Sequence, residues 1–242
     1  DMSKMNFISG NKPPRVAVTV TDQETNEQLK PLDVDALEVR VDRFKSQNLD
    51  DVMEHIRRLK QLRVPLILTV RNDRAEGGTR RISDEKKARI FEAAILLVDA
   101  IDIELSSGIR SAMIELGKKQ KRTVIVSAHN FKITPSEREL EKIFKDSRNA
   151  GADIVKIAAK ANSLDDVNRM LQFTMRHRED RVITISLGDL GSISRLLFPG
   201  LGSLLVYTYI DRSAAPGQIP LDVLQDHLRW YYPQYHRIKK TQ

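Results

Sequence analysis

The feature that most constrains the fold of this sequence is a regular alternation of short apolar segments with longer amphipathic ones. The short segments are rich in β-branched residues and bounded by turn residues, which is typical of buried strands. They are Arg15–Val20, Leu37–Val41, Leu66–Val70, Ala100–Glu104, Thr123–Ser127, Ile154–Ala158, Val182–Ser186 and Ser203–Tyr207. The stretches between them carry apolar residues at helical spacing. These predict helices over Leu49–Leu62, Ser83–Val98, Ile109–Lys119, Ser136–Asn149, Ser163–Arg176, Gly191–Phe198 and Leu221–Tyr231, with 21–35 as the weakest link.

Strands that alternate with helices indicate a parallel sheet. Eight such units in 242 residues match the size of a closed barrel. We therefore expect an α/β fold, a (β/α)8 TIM barrel, as a single domain over residues 1–242. The alternative is an open doubly wound sheet, which usually carries a glycine-rich phosphate turn after its first strand. The residues that follow the first strand here, Thr21–Gln23, contain no glycine.

Charge and composition narrow the functional classes. The chain has no cysteine, which excludes disulfides, thiol catalysis and thiolate metal sites and is compatible with the cytoplasmic location that we expect. No apolar run is long enough to cross a membrane. The net charge of +7 leaves a nucleic-acid-binding protein as an alternative. The basic residues are scattered, however, and no nucleic-acid motif has the expected spacing, so we expect no such partner.

One lysine, Lys156, interrupts the predicted sixth strand. Lysine is rarely buried without a partner. Burial disfavours the ammonium form and lowers the lysine pKa, and a neutral amine can attack a ketone to form a Schiff base. The alternative is that the side chain extends along its own stem to reach solvent.

A barrel places functional residues at the carboxyl ends of its strands. Glu38 and Arg40 alternate with apolar residues that belong on the helix-covered outside, so both should point into the barrel mouth. Arg71 ends the third strand, where it would grip an anion or a hydroxyl group. Asp102 and Glu104 share a face of the fourth strand, and we expect them to neutralise an inward arginine as structural ion pairs.

The last four strands add further candidates. His129 follows the fifth strand and is the one histidine of the five at a strand end, where an imidazole can transfer protons near neutral pH. Arg195 lies in a short helix candidate after the seventh strand. Pro216–Gly217 fits the centre of a type II turn that would fix Gln218. The mouth lacks the clustered ligands of a catalytic metal site, so we expect no metal or cofactor, and Schiff-base chemistry on a carboxylated, hydroxylated ketone.

These residues, taken in order along the chain, resemble the type I 3-dehydroquinate dehydratase family. The resemblance covers most of the chain and rests on a set of short motifs. They are Glu38-Val39-Arg40, Arg71 with Glu76-Gly77-Gly78, Ser127-Ala128-His129-Asn130-Phe131 with Thr134-Pro135, Val155-Lys156-Ile157-Ala158, Ile193-Ser194-Arg195 and Ala215-Pro216-Gly217-Gln218.

The resemblance implies a homodimeric (β/α)8 enzyme of the shikimate pathway of aromatic amino acid biosynthesis, which converts 3-dehydroquinate to 3-dehydroshikimate. It implies that Lys156 forms an imine with the ketone, that His129 acts as general acid and base, and that Glu76 orients His129. The same pattern assigns Glu38, Arg40 and Arg71 to the ring hydroxyls, and Arg195 and Gln218 to the carboxylate.

Two positions depart from the family pattern. The spacing from Arg71 to Glu76 is one residue longer, and Ala214 stands where many members have a serine, with Ser213 beside it. The main alternative is another imine-forming barrel lyase of the class I aldolase type. Such an enzyme would share Lys156, but would not need His129, Arg195 and Gln218 arranged for a carboxylate. A sugar-phosphate aldolase would also show a clearer phosphate site after the seventh and eighth strands.

Overall fold

A computed structural model describes residues 14–71, 82–233 and 235. The strands are β1 (Val16–Val20), β2 (Ala36–Arg40), β3 (Leu66–Thr69), β4 (Ala100–Glu104), β5 (Thr123–Asn130), β6 (Ile154–Lys160), β7 (Val182–Leu187) and β8 (Val206–Thr208). The helices are α1 (Asn26–Leu29), α2 (Leu49–Lys60), α3 (Asp84–Ala94), α4 (Arg110–Lys119), α5 (Glu137–Asn149), α6 (Leu164–Arg176), α7 (Ser194–Leu197) and α8 (Leu221–Tyr231).

The strands form a parallel barrel. Their order is β7-β6-β5-β4-β3-β2-β1-β8, and each assigned neighbour pair is parallel. The ring closes where Val182 of β7 makes a parallel bridge to Ser203, just before β8. The amide of Leu204 donates to the Val182 carbonyl across the same seam, at 2.8 Å. The (β/α)8 fold predicted from the alternation of segments is confirmed.

Side-chain alternation divides each strand into an outer and an inner face. Outward residues such as Val18, Leu37 and Val39 pack with the helices in one apolar cluster. Inward residues at the amino ends of the strands form a second cluster of small and branched side chains, Ala17, Ala36, Ile67, Ala100, Ile125, Ile154 and Ile183. The inner side chains become polar toward the carboxyl ends, so this apolar layer forms the floor under the polar mouth.

Several helices begin where the sequence predicts. Ser83, Ser136 and Ser163 each cap a helix by accepting a hydrogen bond from a backbone amide of the first turn. These caps set the first residues of α3, α5 and α6. In the weak link after β1, the capping box of Thr25 and Gln28 supports α1, which is four residues long.

The predicted boundaries differ from the structure at helix and strand ends, since α3 ends at Ala94 and α7 begins only at Ser194. β5 continues to Asn130 and β6 to Lys160, because His129 and Asn130 pair with Ala158 and Ala159. β8 begins only at Val206. None of the described helices is both long and apolar enough to span a bilayer.

Candidate active site

A cavity opens at the carboxyl ends of the strands, with about 470 Å³ of empty space including its open mouth. Every described residue that the sequence proposed for the site lines it. The lining residues are Glu38, Arg40, Arg71, His129, Phe131, Lys156, Ala158, Ile185, Leu187, Arg195, Tyr207, Ala214, Ala215 and Gln218. Glu76, with Gly77 and Gly78, lies outside the described residues.

Lys156 lies at the base of this cavity and is only 4% exposed, so its side chain does not extend to solvent. Its Nζ donates to Asp102 Oδ2 at 2.9 Å and to Glu38 Oε1 at 3.2 Å. The ammonium also lies 4.0 Å from the centroid of the Tyr207 ring, which is a cation–π contact. Two carboxylates and an aromatic face therefore hold the amine in one position.

The predicted direction of the Lys156 pKa shift was wrong. Burial does lower the pKa of Lys156, but the carboxylates of Asp102 and Glu38 outweigh burial and raise it above the ordinary lysine value. Asp102 in turn has its pKa held well below the usual range, because Arg71 and Lys156 overcome the effect of its own burial. The resting lysine is an ammonium ion, so it must lose a proton before it can act as a nucleophile.

Glu38 and Arg40 both point inward, as their alternation predicted, but each is already held by the protein. Glu38 accepts from Thr19 Oγ1 at 2.9 Å and from Thr69 Oγ1 at 3.2 Å. Arg40 donates through Nε and Nη2 to the two carboxylate oxygens of Asp42, at 2.8 and 2.7 Å. Such a bidentate pair fixes the guanidinium plane at the cavity wall.

Arg71 is fully buried and connects β3 to β4 and β5. Its Nη2 donates to Asp102 Oδ1 at 3.0 Å and its Nη1 to Ser127 Oγ at 2.8 Å. Nη1 also lies 3.6 Å from Glu104 Oε1. The expectation that β4 carboxylates neutralise an inward arginine is therefore confirmed, but it was incomplete, since Asp102 also binds Lys156.

His129 is half-buried in the cavity wall. Its strand partner is Ala158, while Lys156 pairs with Ser127, so histidine and lysine occupy neighbouring inward positions of adjacent strands. The ring stacks on Phe131 with 6.3 Å between the centroids. Burial and the cations of Arg71 and Lys156 hold the pKa of His129 well below its usual range. The imidazole is therefore neutral near pH 7 and can accept a proton.

Arg195 differs from the other arginines of the cavity. It is 2% exposed, and its Nη1 reaches the Tyr207 carbonyl at 3.4 Å. Its Nε and Nη2 have no hydrogen-bond partner among the described residues. Burial lowers the pKa of Arg195 to about 10, and no carboxylate of the described chain compensates for it. A buried guanidinium with open donors is a site for an anion such as a carboxylate.

Gln218 belongs to a loop folded by its own side chain. Its Oε1 accepts from the amides of Ala214 at 2.6 Å and Ala215 at 3.1 Å, and from Ser213 Oγ at 3.2 Å. The turn predicted at Pro216–Gly217 is present, with the Gln218 amide bonded to the Ala215 carbonyl. Gly217 has φ of +75°, and a Cβ there would lie 2.4 Å from the Gly188 carbonyl oxygen. The loop thus requires glycine and holds Gln218 at the edge of the cavity.

Sequence reasoning missed three contributors to the site. Asp102 is expected from the sequence only to neutralise an inward arginine, Asp42 carries no prediction, and Tyr207 is only part of a predicted apolar strand. The spacing Glu38-x-Arg40-x-Asp42 could have signalled the Asp42 pair, since the alternation of polar residues continues from β2 into the turn that follows it. The contacts of Lys156 with Asp102 and Tyr207 join positions 54 and 51 residues away in the chain, which strand patterns do not relate. Among the residues described, no group of three or more acidic or histidine side chains is arranged to hold a metal ion.

Comparisons of this sequence with known proteins all point to the same protein family. The family model for type I 3-dehydroquinase matches residues 16–234. A 3-dehydroquinate dehydratase from Thermodesulfovibrio yellowstonii is 37% identical over 213 residues, which are 86% of this chain and 91% of that protein. One from Aquifex aeolicus is 35% identical over 221 residues, covering 90% of this chain and 98% of the relative.

A solved structure gives the same result. The type I 3-dehydroquinate dehydratase from Clostridium difficile, determined with covalently modified comenic acid, superposes with a TM-score of 0.84 at 29% identity. The match covers 93% of this chain and 94% of that one. The similarity therefore extends over the whole barrel, including every strand that lines the cavity.

Proposed function

This chain belongs to the type I 3-dehydroquinase family, and we propose that it dehydrates its substrate through an imine on Lys156. It is an enzyme with 3-dehydroquinate dehydratase activity, a lyase of the shikimate pathway. The substrate is 3-dehydroquinate and the product 3-dehydroshikimate. The observation that carries the proposed mechanism is the position of the Lys156 amine, buried at the base of a cavity that also holds a neutral histidine.

Binding begins with the substrate carboxylate. Arg195 offers two donors that are unpaired among the described residues, and Gln218 lines the same cavity. We assign the carboxylate to this pair. Glu38, Arg40 and Arg71 lie on the facing strands and are assigned to the ring hydroxyls. Because ion pairs fix these three side chains before substrate arrives, little conformational entropy is lost on binding.

Imine formation requires a free amine. A proton passes from the Lys156 ammonium to the neutral His129, and Nζ then attacks the ketone carbon. The C–N bond forms as the carbonyl π electrons move to oxygen. His129 returns the proton to that oxygen and then carries a second proton to it from Nζ, so the oxygen departs as water and leaves a protonated imine that keeps one N–H hydrogen. The carboxylates of Asp102 and Glu38 lie beside Nζ and stabilise its positive charge in the imine as they do in the ammonium.

Elimination follows from the positive imine. His129 takes a proton from the carbon next to the imine, and the C–H electrons move to the imine nitrogen to give an enamine. The enamine electrons then expel the β-hydroxyl, which leaves as water with the proton that His129 carries. Attack by water on the resulting imine releases the enone product and restores the Lys156 amine. We assign Glu76 to the orientation of His129 by the family pattern.

We also propose that the enzyme acts as a homodimer. Large apolar side chains are exposed on α8, led by Trp230 at 84% exposure. Tyr231 and Val223 lie on the same helix, α8, which contacts α7 and its exposed Leu197. A second copy of the chain would cover this surface. Light scattering on a size-exclusion column should give twice the monomer mass, with Trp230→Ser shifting the enzyme toward monomer. A monomer at all concentrations would contradict the proposal.

The direct test of the mechanism is an activity assay with matched lysine variants. Unaltered protein incubated with 3-dehydroquinate should produce the enone absorbance of 3-dehydroshikimate, and Lys156→Met should not. Lys160→Met is the matched control, since Lys160 ends the same strand but is exposed. Activity retained in Lys156→Met would overturn the proposed imine.

The cytoplasmic location, the lack of a cofactor and the single-domain organisation stay predictions.

A further inference from the structure

The hydroxyl of Tyr207 is a polar group that the mechanism above does not use. Tyr207 lies on β8, lines the cavity and is 3% exposed. Its Oη is buried and has no hydrogen-bond partner among the described residues. A buried hydroxyl without a partner costs about 1–3 kcal/mol. A phenylalanine would pack here without that cost, so the hydroxyl needs an explanation.

The surroundings of the phenol show why it has no partner within the protein. Lys156 lies over the ring. The nearby carboxylates of Glu38 and Asp102 would be the natural acceptors for the Tyr207 hydroxyl. Their oxygens are already engaged, by Thr19, Thr69, Arg71, Ser127 and Lys156 itself. Burial also raises the pKa of Tyr207, so the phenol keeps its proton. It is a hydrogen-bond donor on a side chain that lines the cavity.

We propose that Tyr207 is a further catalytic residue, whose hydroxyl donates a hydrogen bond to the oxygen on the carbon that Lys156 attacks. This inference rests on the Schiff-base function proposed above. In the carbinolamine that oxygen and Nζ are bonded to the same carbon, so a donor beside Nζ is a donor beside the oxygen. The carboxylate end of the substrate, in contrast, is assigned to Arg195 and Gln218.

Tyr207 donates a hydrogen bond in this step and keeps its proton throughout. As Nζ forms its bond to carbon, the carbonyl electron pair moves to oxygen, and the phenol O–H stabilises the negative charge that develops. The oxygen then receives its protons through His129 and leaves as water. Donors of this kind accelerate a reaction because they bind the charge of the transition state more strongly than the neutral ketone.

The test is Tyr207→Phe, which removes one oxygen atom and keeps the ring under Lys156. The enzyme is mixed with excess 3-dehydroquinate, quenched with borohydride at successive times, and the reduced adduct is quantified by mass. The variant should form the adduct on the order of 10–100-fold more slowly than the unaltered protein. Its thermal midpoint should be unchanged or higher, because a buried unpaired hydroxyl has been removed.

The matched control is Tyr232→Phe, whose hydroxyl bonds to the Leu196 carbonyl and does not line the cavity. It should lose stability and keep the rate of adduct formation. An adduct rate in Tyr207→Phe equal to that of the unaltered protein would overturn the role of the hydroxyl while leaving the imine mechanism intact. A slower rate explained by a lower thermal midpoint would also overturn it. Absence of an adduct in the unaltered protein would instead contradict the proposed function.

Discussion

Two buried lysines in this protein show what separates a reactive amine from a structural one. Lys87, on α3, is 1% exposed and forms an ion pair with Glu104. Lys156, on β6, is 4% exposed and forms ion pairs with Asp102 and Glu38. Burial and pairing are therefore common to both. Only Lys156 lines the cavity, so access distinguishes it from Lys87.

The two lysines are also linked. Glu104, the partner of Lys87, lies 3.6 Å from Arg71, and Arg71 binds Asp102, the partner of Lys156. The charges alternate in sign along this series, so Glu104, Arg71 and Asp102 each lie between two ions of opposite charge. The difference between the lysines is thus the cavity next to one end of the series, which holds His129 and the open donors of Arg195 and Tyr207.

The largest expected effect separates the two lysines directly. Lys156→Met should lower kcat by at least about 10⁴-fold, because the covalent nucleophile is lost. Lys87→Met should lower it by less than about tenfold, and should mainly lower stability by leaving Glu104 with one partner. Steady-state kinetics and thermal unfolding of both variants check this. Similar losses of kcat in the two variants would contradict the assignment of Lys156 as the reactive lysine and Lys87 as a structural one.

The next largest effect on kcat comes from removing the proton carrier beside Lys156. His129→Ala should lower kcat by about 10²–10⁴-fold, the usual contribution of a general acid and base. His227→Ala on α8 is the control, since that imidazole is exposed and away from the cavity. It should leave kcat unchanged. Equal activity in His129→Ala and the unaltered enzyme would assign proton transfer to another group.

A smaller effect tests the open donors of the cavity. Arg195→Met should lower kcat/KM by about 100-fold, mostly through KM, because the substrate carboxylate loses a charged and desolvated partner. Arg212→Met removes an exposed cation from the loop near the mouth and should change kcat/KM less than about threefold, as expected of a screened surface charge. If both variants weaken binding equally, general positive charge rather than a specific site attracts the substrate.

The smallest effect concerns the carboxylate partners. Asp102 and Glu38 raise the pKa of Lys156, so in the unaltered enzyme the lysine titrates at the alkaline end of the kcat/KM profile. Asp102→Asn removes the larger of these two contributions and should shift that alkaline limb to lower pH. Glu104→Gln, at the partner of Lys87, should shift it less. Profiles of kcat/KM across about pH 6–10 measure both shifts. An unshifted profile in Asp102→Asn would show that Asp102 does not control the amine.

The fold and the inward positions of the site were predictable because they follow from local periodicity. Alternation along β2 was sufficient to point Glu38 and Arg40 inward, and the position of His129 at a strand end brought it next to Lys156. The protonation of Lys156 was not predictable in the same way. The direction of the Lys156 pKa shift depends on Asp102, which is near in space but 54 residues away in sequence. A prediction from burial alone therefore gives the wrong direction.

The most direct test of the difference between the two lysines is the site of covalent attachment. The protein is incubated with 3-dehydroquinate, reduced with borohydride, digested and mapped by mass spectrometry. We expect a substrate-derived adduct on Lys156 and none on Lys87. An adduct on Lys87 or on any other lysine, or dehydratase turnover with no adduct at all, would contradict the assignment of Lys156 as the imine-forming residue.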